Sequence, residues 1–519
     1  MKITRPLVLI IMDGWGIGEN DENNPIYLAP TPNIDHLLAT YPHTIIGAAG
    51  TFIGMPPGHQ GSSEMGHLII GAGRNVLLPQ MQVRRALETG EISKNKILLK
   101  AFTFAKKKKS RLHLMGLLSN FGVHSYDEAC HKILELAVQC GIKKENIFVH
   151  VFADGRDAPP QSVEMYVREL EKVGIARIAT IMGRWWAMDR DHRWERVSEA
   201  YKTLVMGQGQ FNANDIHEAI EMAYKRQETD EFIRPTVIDE ESNFRENDVV
   251  INYNFRVDRA IEITQALIEK NFKEFARPVW PKIYYVAMSD YYEGMPCPFI
   301  FKRPIITNTL GEVLSREGLT QFRCTETEKW PYMTTILNGL REEPFPGETQ
   351  KLIPSDKVPT YDLAPEMQAI PIAKEIIKHL HQKDFDAYFI NFANPDILGH
   401  TGVKEAIMKG VQTVDTAVGL IYQAVLNQDG IILITADHGD AEICWDRAKQ
   451  CPHTHHTDNF VPFIYIDEKN KKAKLRENGA LADIAPTILK LLNLPVPKEM
   501  IQESLILGYV PHSLRSFGT

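Results

Sequence analysis

The sequence predicts an α/β protein of more than one domain, and three observations carry that reading. Apolar strand-like runs alternate with amphipathic helical stretches along the chain. Its 519 residues exceed the usual span of one domain. Residues suited to metal binding gather in two separated stretches, the first seventy or so residues and those after about residue 390, with an independent strand-bearing block between them. The simplest organisation is a discontinuous metal domain, residues 1–77 and 304–519, with a second α/β domain, residues 78–303, inserted. The crossings fall near Leu77-Leu78-Pro79 and Arg303-Pro304.

The first element is the run Leu7-Val8-Leu9-Ile10-Ile11-Met12, apolar throughout and the length of a buried strand; it delivers Asp13. Gly58-His59-Gln60-Gly61-Ser62-Ser63-Glu64-Met65-Gly66-His67 reads as a Gly-rich loop entering a helix. Backbone N–H groups there favour an anion, and a metal-bound hydroxyl can ionise and attack phosphorus. The same residues also spell a capping box, Ser62 or Ser63 with a nearby Glu, and the pattern leaves the choice of serine open.

The inserted block has its own strands, at 112–118, 147–152, 175–181, 249–253 and 283–288. Several end in basic loops. Arg156 and Asp157 follow one strand, Arg184 and Arg190 another, Arg256 and Arg259 a third. A lone arginine is ordinarily a surface charge, but five at successive strand ends point to a small polyanionic substrate, since guanidinium groups bind carboxylate and phosphate bidentately. His124 also follows a strand and can donate to substrate or shuttle a proton. Lys106 to Lys109 read as a solvated helix end.

Two further apolar runs complete the metal domain. Residues 386–391 lead into Asp396 and His400, four apart and so on one face of a helical turn. Gly430 to Ala436 lead into Asp437-His438, and a His-rich loop, Pro452-His453-Thr454-His455-His456-Thr457, offers a further ligand. Each pair alone is an ordinary polar loop. Their recurrence at strand ends, where open α/β sheets bind ligands, makes a metal-dependent enzyme the first reading. Mixed carboxylate and imidazole donors suit Mn, Zn or Fe, and two such ions about 3.5–4 Å apart can clamp a phosphoryl transfer.

Bulk properties exclude other classes. A net charge of −8 argues against non-specific binding of nucleic acid or an anionic membrane. No apolar stretch reaches the length of a membrane span. The segment Met1 to Pro6 runs straight into a strand, unlike a secretion leader. Six cysteines without paired or zinc-type spacing read as reduced thiols of a cytoplasmic protein.

The segments MDGWG, GSSEMGHLIIGAGR, GVHS, DGRDAPP, GRWWAMDRD, NFRVDR, ETEKW, YDLAPEM, NPDILGH, ADHGDAE and HTHHTDN, spread over essentially the full length, resemble the cofactor-independent (2,3-bisphosphoglycerate-independent) phosphoglycerate mutases of the alkaline phosphatase superfamily. The resemblance implies two three-layer α/β domains, the discontinuous one alkaline-phosphatase-like and the inserted one substrate-binding. It implies interconversion of 3- and 2-phosphoglycerate through a phosphoserine at a two-metal site. Ser63 is the implied nucleophile. Asp396, His400 and His456 are implied for one metal; Asp13, Ser63, Asp437 and His438 for the other. Manganese is the first expectation, with Mg or other divalent ions as alternatives. Implied substrate contacts are His124, Arg156, Asp157, Arg184, Arg190, Arg256, Arg259 and Lys329, with Lys329 also neutralising phosphoryl charge and Asp157 accepting the hydroxyl proton. The implied partner is a small phosphoglycerate and the implied state a monomer. Ser62 replaces the family's usual Asn, Asn120-Phe121 its Asp-Gly, and Tyr332 a common histidine; His455 stands beside His456.

Three other readings fit parts of the sequence. A two-metal phosphatase or phosphodiesterase needs no arginine-lined partner. Phosphopentomutase handles a substrate without a carboxylate, so the arginine density tells against it. A catalytically dead phosphate-binding protein would have lost a ligand or the serine, and none is missing.

Overall fold

A computed structural model describes residues 5–508. The residues before Arg5, on which the leader expectation partly rests, lie outside the described set. The chain divides into two compact units, one comprising the residues up to Val76 and from Ile305 onward, the other Leu77–Pro304.

The first unit is built on an eight-stranded sheet. Its strands lie in the order Glu348–Ile353, Gln321–Glu326, Ala387–Phe392, Leu7–Met12, Ile431–Thr435, Val461–Ile466, His43–Gly47 and Gly479–Ala480. Only Val461–Ile466 runs against the others. Every residue of the central strands Leu7–Met12, Ala387–Phe392 and Ile431–Thr435 is buried, so both sheet faces are covered, as their continuous apolar runs require. Gln321–Glu326 is equally buried although it carries Arg323 and Glu326, which is why no apolar run marks it. Arg323 is matched across the sheet by Glu348 on the neighbouring strand, 3.4 Å away.

The register matters most for the site. Leu7 stands opposite both Ala387 and Ile431, Met12 opposite Phe392 and Ile11 opposite Thr435. Three parallel strands therefore end level, and the loops that leave them leave at one edge.

The second unit repeats the principle. Its eight-stranded sheet runs Phe299–Phe301, Tyr284–Ser289, Val249–Asn252, Leu112–Leu117, Ile147–Ala153, Arg177–Gly183, Thr236–Val237 and Phe211–Asn212, with the last two strands reversed. Alternate residues of its strands feed two separate cores. Leu112, Leu114, Val249 and Ile251 pack with helices Lys96–Lys108 and Asp127–Gln139, whereas Met115, Leu117 and Val250 pack with Trp194–Tyr201 and Ile261–Ile268. A sheet with a core on each face is a three-layer sandwich. The strand expected at 175–181 forms at Arg177–Gly183, because Gly174 in the left-handed region (φ +61°) ends the preceding helix and the chain must turn before pairing.

One buried polar chain crosses this second sheet. Thr180 Oγ1 lies 3.0 Å from His150 Nδ1, His150 Nε2 3.0 Å from His113 Nδ1, and His113 Nε2 3.2 Å from Asp248 Oδ2. With Asp248 ionised, each neutral imidazole donates toward Asp248 and accepts from the Thr180 side, so all partners are satisfied. Burial drives both histidines below their ordinary range, and in His113 it outweighs the attraction of Asp248. Burial opposes ionisation of Asp248, but hydrogen bonds from His113 and Arg111 hold it down at about 2. The unfolded chain takes up these histidine protons below about pH 6.5, where the folded one refuses them. Stability of this unit is therefore full above pH 6.5 and falls with acidification, with a slope of about 1.4 kcal/mol per pH unit for each proton taken up. Urea unfolding followed across pH 7.5 to 5 is expected to show that fall, and a flat profile would contradict it.

Candidate active site

Asp13 follows Met12 directly, and Gly14 turns the chain away with φ +75°. A side chain at Gly14 would put its Cβ 2.7 Å from the Asp396 Cα, so the two strand-end loops touch because residue 14 is glycine. The Asp396 N–H donates to the Asp13 carbonyl at 2.9 Å, which locks the loops together. Asp396 sits in the short helix Asn394–Gly399, and His400 follows it. Asp437 and His438 follow the strand Ile431–Thr435. Helix Ser63–Ala72 comes close enough to meet them because residue 66 is glycine, where a Cβ would lie 2.5 Å from the Asp437 carbonyl oxygen.

That helix separates the roles of the two serines. Ser62 is the N-cap, its hydroxyl accepting from the Met65 N–H. Ser63, the next residue, is buried and turns its Oγ into the cluster, 3.1 Å from Asp13 Oδ1, 3.0 Å from His438 Nε2 and 2.7 Å from Lys329 Nζ. Lys329 comes from the turn after strand Gln321–Glu326, a fourth strand end at the same edge, and also reaches Asp13 at 2.8 Å and Asp396 at 2.5 Å.

The carboxylates fall into overlapping donor groups. Asp396, His400, Asp440 and His456 each place a ligand atom within 4.8 Å of the others, as do Asp13, Asp396 and His438, and Asp13, His67 and Asp437. His400 Nδ1 is engaged by the Thr454 carbonyl at 3.0 Å and His456 Nδ1 by the Gly61 carbonyl at 2.9 Å. Each ring therefore presents Nε2, 3.2 Å apart, with its lone pair free for a cation. His455 is exposed and lies edge-on to His453, away from this group. His67, to which sequence assigned no role, has both nitrogens engaged: Nδ1 3.0 Å from the Ser63 carbonyl and from Asp437, Nε2 3.0 Å from the Asn391 amide nitrogen. It braces Asp437. Buried oxygen and imidazole donors with this much uncompensated negative charge fit divalent cations, as the donor chemistry anticipates.

The electrostatics follow from burial. Burial pulls the Lys329 ammonium down, but Asp13, Asp396 and Asp437 overcome it and hold it well above its ordinary value. Burial also disfavours charge on Asp396, yet Lys329 and His456 keep it well below the usual carboxylate range. Burial opposes charge on His438 too, and Asp437, Asp13 and Asp396 push it up to about 10. Tyr332 packs against both Lys329 and His67, its ring centre 5.2 Å from the ammonium and 5.9 Å from the imidazole centre.

In the second unit the cationic residues also collect at strand ends. Arg184 is buried and central. Its guanidinium donates to Asp154 at 2.7 Å, to Asp157 at 2.5 Å and to His124 Nε2 at 2.7 Å. His124 therefore carries its proton on Nδ1, a buried donor with no hydrogen-bond partner among the described residues. Burial, then Arg184, lower His124 to about 4, so it stays neutral. Arg156 pairs with Glu231, Arg190 and Arg256 both pair with Asp258, and Arg259 donates to the Met188 carbonyl. The first three remain about half exposed. Sequence reading named the arginines but not Glu231, which no motif marks, or the bracing role of Asp258 inside a quoted one.

Comparisons with known proteins agree on one family. A model of the metalloenzyme superfamily matches residues 5–496. The 2,3-bisphosphoglycerate-independent phosphoglycerate mutase 1 of Methanosarcina barkeri is 45% identical over 512 residues, covering 97% of this chain and 98% of that protein. The 2,3-bisphosphoglycerate-independent phosphoglycerate mutase of Clostridium novyi is 44% identical, covering 96% and 99%. Among solved structures, Leishmania mexicana phosphoglycerate mutase at low cobalt concentration superposes with TM-score 0.65 at 32% identity, covering 98% of each chain.

Replacing Lys329 by Met is expected to destabilise the metal-free protein by about 3–5 kcal/mol, because buried carboxylates lose their ammonium partner. Urea unfolding of the metal-free variant reads this, and an unchanged midpoint would show that the carboxylates are neutralised elsewhere.

Proposed function

Because the chain belongs to the metalloenzyme superfamily and, within it, to the 2,3-bisphosphoglycerate-independent phosphoglycerate mutases, we propose that it interconverts 3-phosphoglycerate and 2-phosphoglycerate through phosphorylated Ser63. The observation that carries this reading is the convergence on Ser63 Oγ of Asp13, His438 and Lys329.

Asp396, His400 and His456 would hold one divalent ion, and Asp13, Ser63, Asp437 and His438 the other, with manganese first and magnesium or another divalent ion as the alternative. Such ions lower the pKa of a bound hydroxyl and offset charge on phosphoryl oxygens. The chain's own residues supply the rest. The helix that begins at Ser63 holds Oγ still, so no ordering is needed at the moment of attack. Oγ gives up its proton and bonds to phosphorus as the bond from phosphorus to the substrate's 3-oxygen breaks, and that oxygen takes up a proton to become a hydroxyl of glycerate. Lys329 stabilises the developing charge on the phosphoryl oxygens. The retained glycerate then turns, its 2-oxygen takes the phosphoryl group and Ser63 is regenerated. Arg156, Arg184, Arg190, Arg256 and Arg259 suit the carboxylate of such a substrate, and the free Nδ1–H of His124 suits one of its oxygens. Asp157, fixed in place by the Arg184 guanidinium that donates to it, suits proton exchange with the glycerate hydroxyls. Six free cysteines accord with a cytoplasmic setting, and the enzyme is read as a monomer acting on small phosphoglycerates. No helix among the described residues is long and apolar enough to cross a membrane.

The manganese-loaded protein is expected to convert 3-phosphoglycerate equally well with and without 2,3-bisphosphoglycerate. Ser63→Ala is expected to lower turnover by at least about a thousandfold. Free phosphate as the dominant product would instead assign a phosphatase.

A further inference from the structure

We propose that Asp440 is a fourth protein ligand of the cation held by Asp396, His400 and His456, and that it sets which metals work there. The inference rests on the two-cation reading above and extends it to a residue with no assigned role.

Asp440 is fully buried, and neither of its carboxylate oxygens has a hydrogen-bond donor among the described residues. Such a group is costly unless a cation or donors meet it. Its backbone N–H lies 3.0 Å from the Gly14 carbonyl and 2.8 Å from Glu442 Oε2, so the residue is pinned at the turn that also carries Asp437 and His438. Its carboxylate is pressed against Gly399, where an added Cβ would come within 1.9 Å of Oδ1, and so it faces the helical turn that presents Asp396 and His400. Lys329 does not answer this charge, because it directs its ammonium at Asp13, Ser63 and Asp396.

The distances fit one coordination shell. Asp440 Oδ2 lies 3.8 Å from His456 Nε2, which is itself 3.1 Å from Asp396 Oδ1 and 3.2 Å from His400 Nε2. Metal–ligand bonds of about 2.1 Å place neighbouring ligand atoms about 3.0 Å apart and opposite ones about 4.2 Å apart. A positioning role through His400 is the alternative. It fails on geometry, since the Thr454 carbonyl already takes His400 Nδ1 at 3.0 Å while Asp440 stands 3.7 Å from it.

Two carboxylates and two imidazoles balance a divalent ion. They would also satisfy a four-coordinate ion such as zinc completely, whereas a six-coordinate ion such as manganese would be left with room for substrate. Asp440 thereby favours six-coordinate ions.

The test is calorimetric titration of the metal-free protein with manganese chloride, for the parent, Asp440→Asn, Asp440→Ser and Asp396→Asn. Both Asp440 variants are expected to bind one of two ions at least tenfold more weakly, with the other site and the melting temperature of the metal-free protein kept. A titration of Asp440→Asn that superposes on the parent, while Asp396→Asn loses a site, would overturn the proposal and leave the two-cation reading intact. Equal weakening at both sites with a lowered melting temperature would mark Asp440 as structural and also overturn it. If Asp396→Asn keeps both sites, the two-cation reading itself falls.

Discussion

Four carboxylates buried at one edge of a parallel sheet govern the first unit. Asp13, Asp396, Asp437 and Asp440 are almost wholly removed from solvent. Where no cation meets Asp440, burial and then Asp396 push it up to about 9, toward its neutral form. Charge held in that environment demands opposite charge. Lys329 and His438 supply part of it from within the chain, each driven toward its charged form by the same carboxylates. Divalent cations supply the remainder. Around Ser63 these demands gather an aspartate, an imidazole and an ammonium about one hydroxyl, the arrangement on which the proposed phosphoryl transfer rests.

The second unit solves the opposite problem at the strand ends of its own, differently ordered sheet. Its strand ends gather guanidinium groups, and the buried one, Arg184, is balanced by Asp154 and Asp157 and fixes the tautomer of His124. The outer arginines are tethered by Glu231 and Asp258 yet keep about half their surface in water. These side chains are already oriented, so binding of an anion there, as proposed, would lose little conformational entropy. Cysteine chemistry, by contrast, plays no part in either arrangement.

Much of the site is legible in the chain. Leu7 to Met12 and Ile431 to Thr435 are apolar enough to be read as buried strands, and each leads directly into a candidate ligand, Asp13 or Asp437. The strand before Lys329 is not legible this way, because Arg323 and Glu326 interrupt its pattern and their burial depends on partners elsewhere. The choice between Ser62 and Ser63 is open in the residue pattern, since both fit a helix start, and only the fold separates their surroundings: one hydroxyl caps the helix and the other faces Asp13, which supports Ser63 in the proposed role. His455 and His456 are likewise equivalent as letters and differ only in which way the loop turns them.

The sequence by itself determined the class of the fold, the strand ends that matter and the chemical type of most groups that gather there, because hydrophobic period and residue chemistry are local properties. Tertiary structure decided which of those groups fall into one donor cluster and which contact another, as His67 lies against Asp437 and Glu231 restrains Arg156. The reason is register. Level strand ends and two close glycine contacts bring residues hundreds of positions apart to within about 3 Å, and no local pattern encodes a distance of that kind.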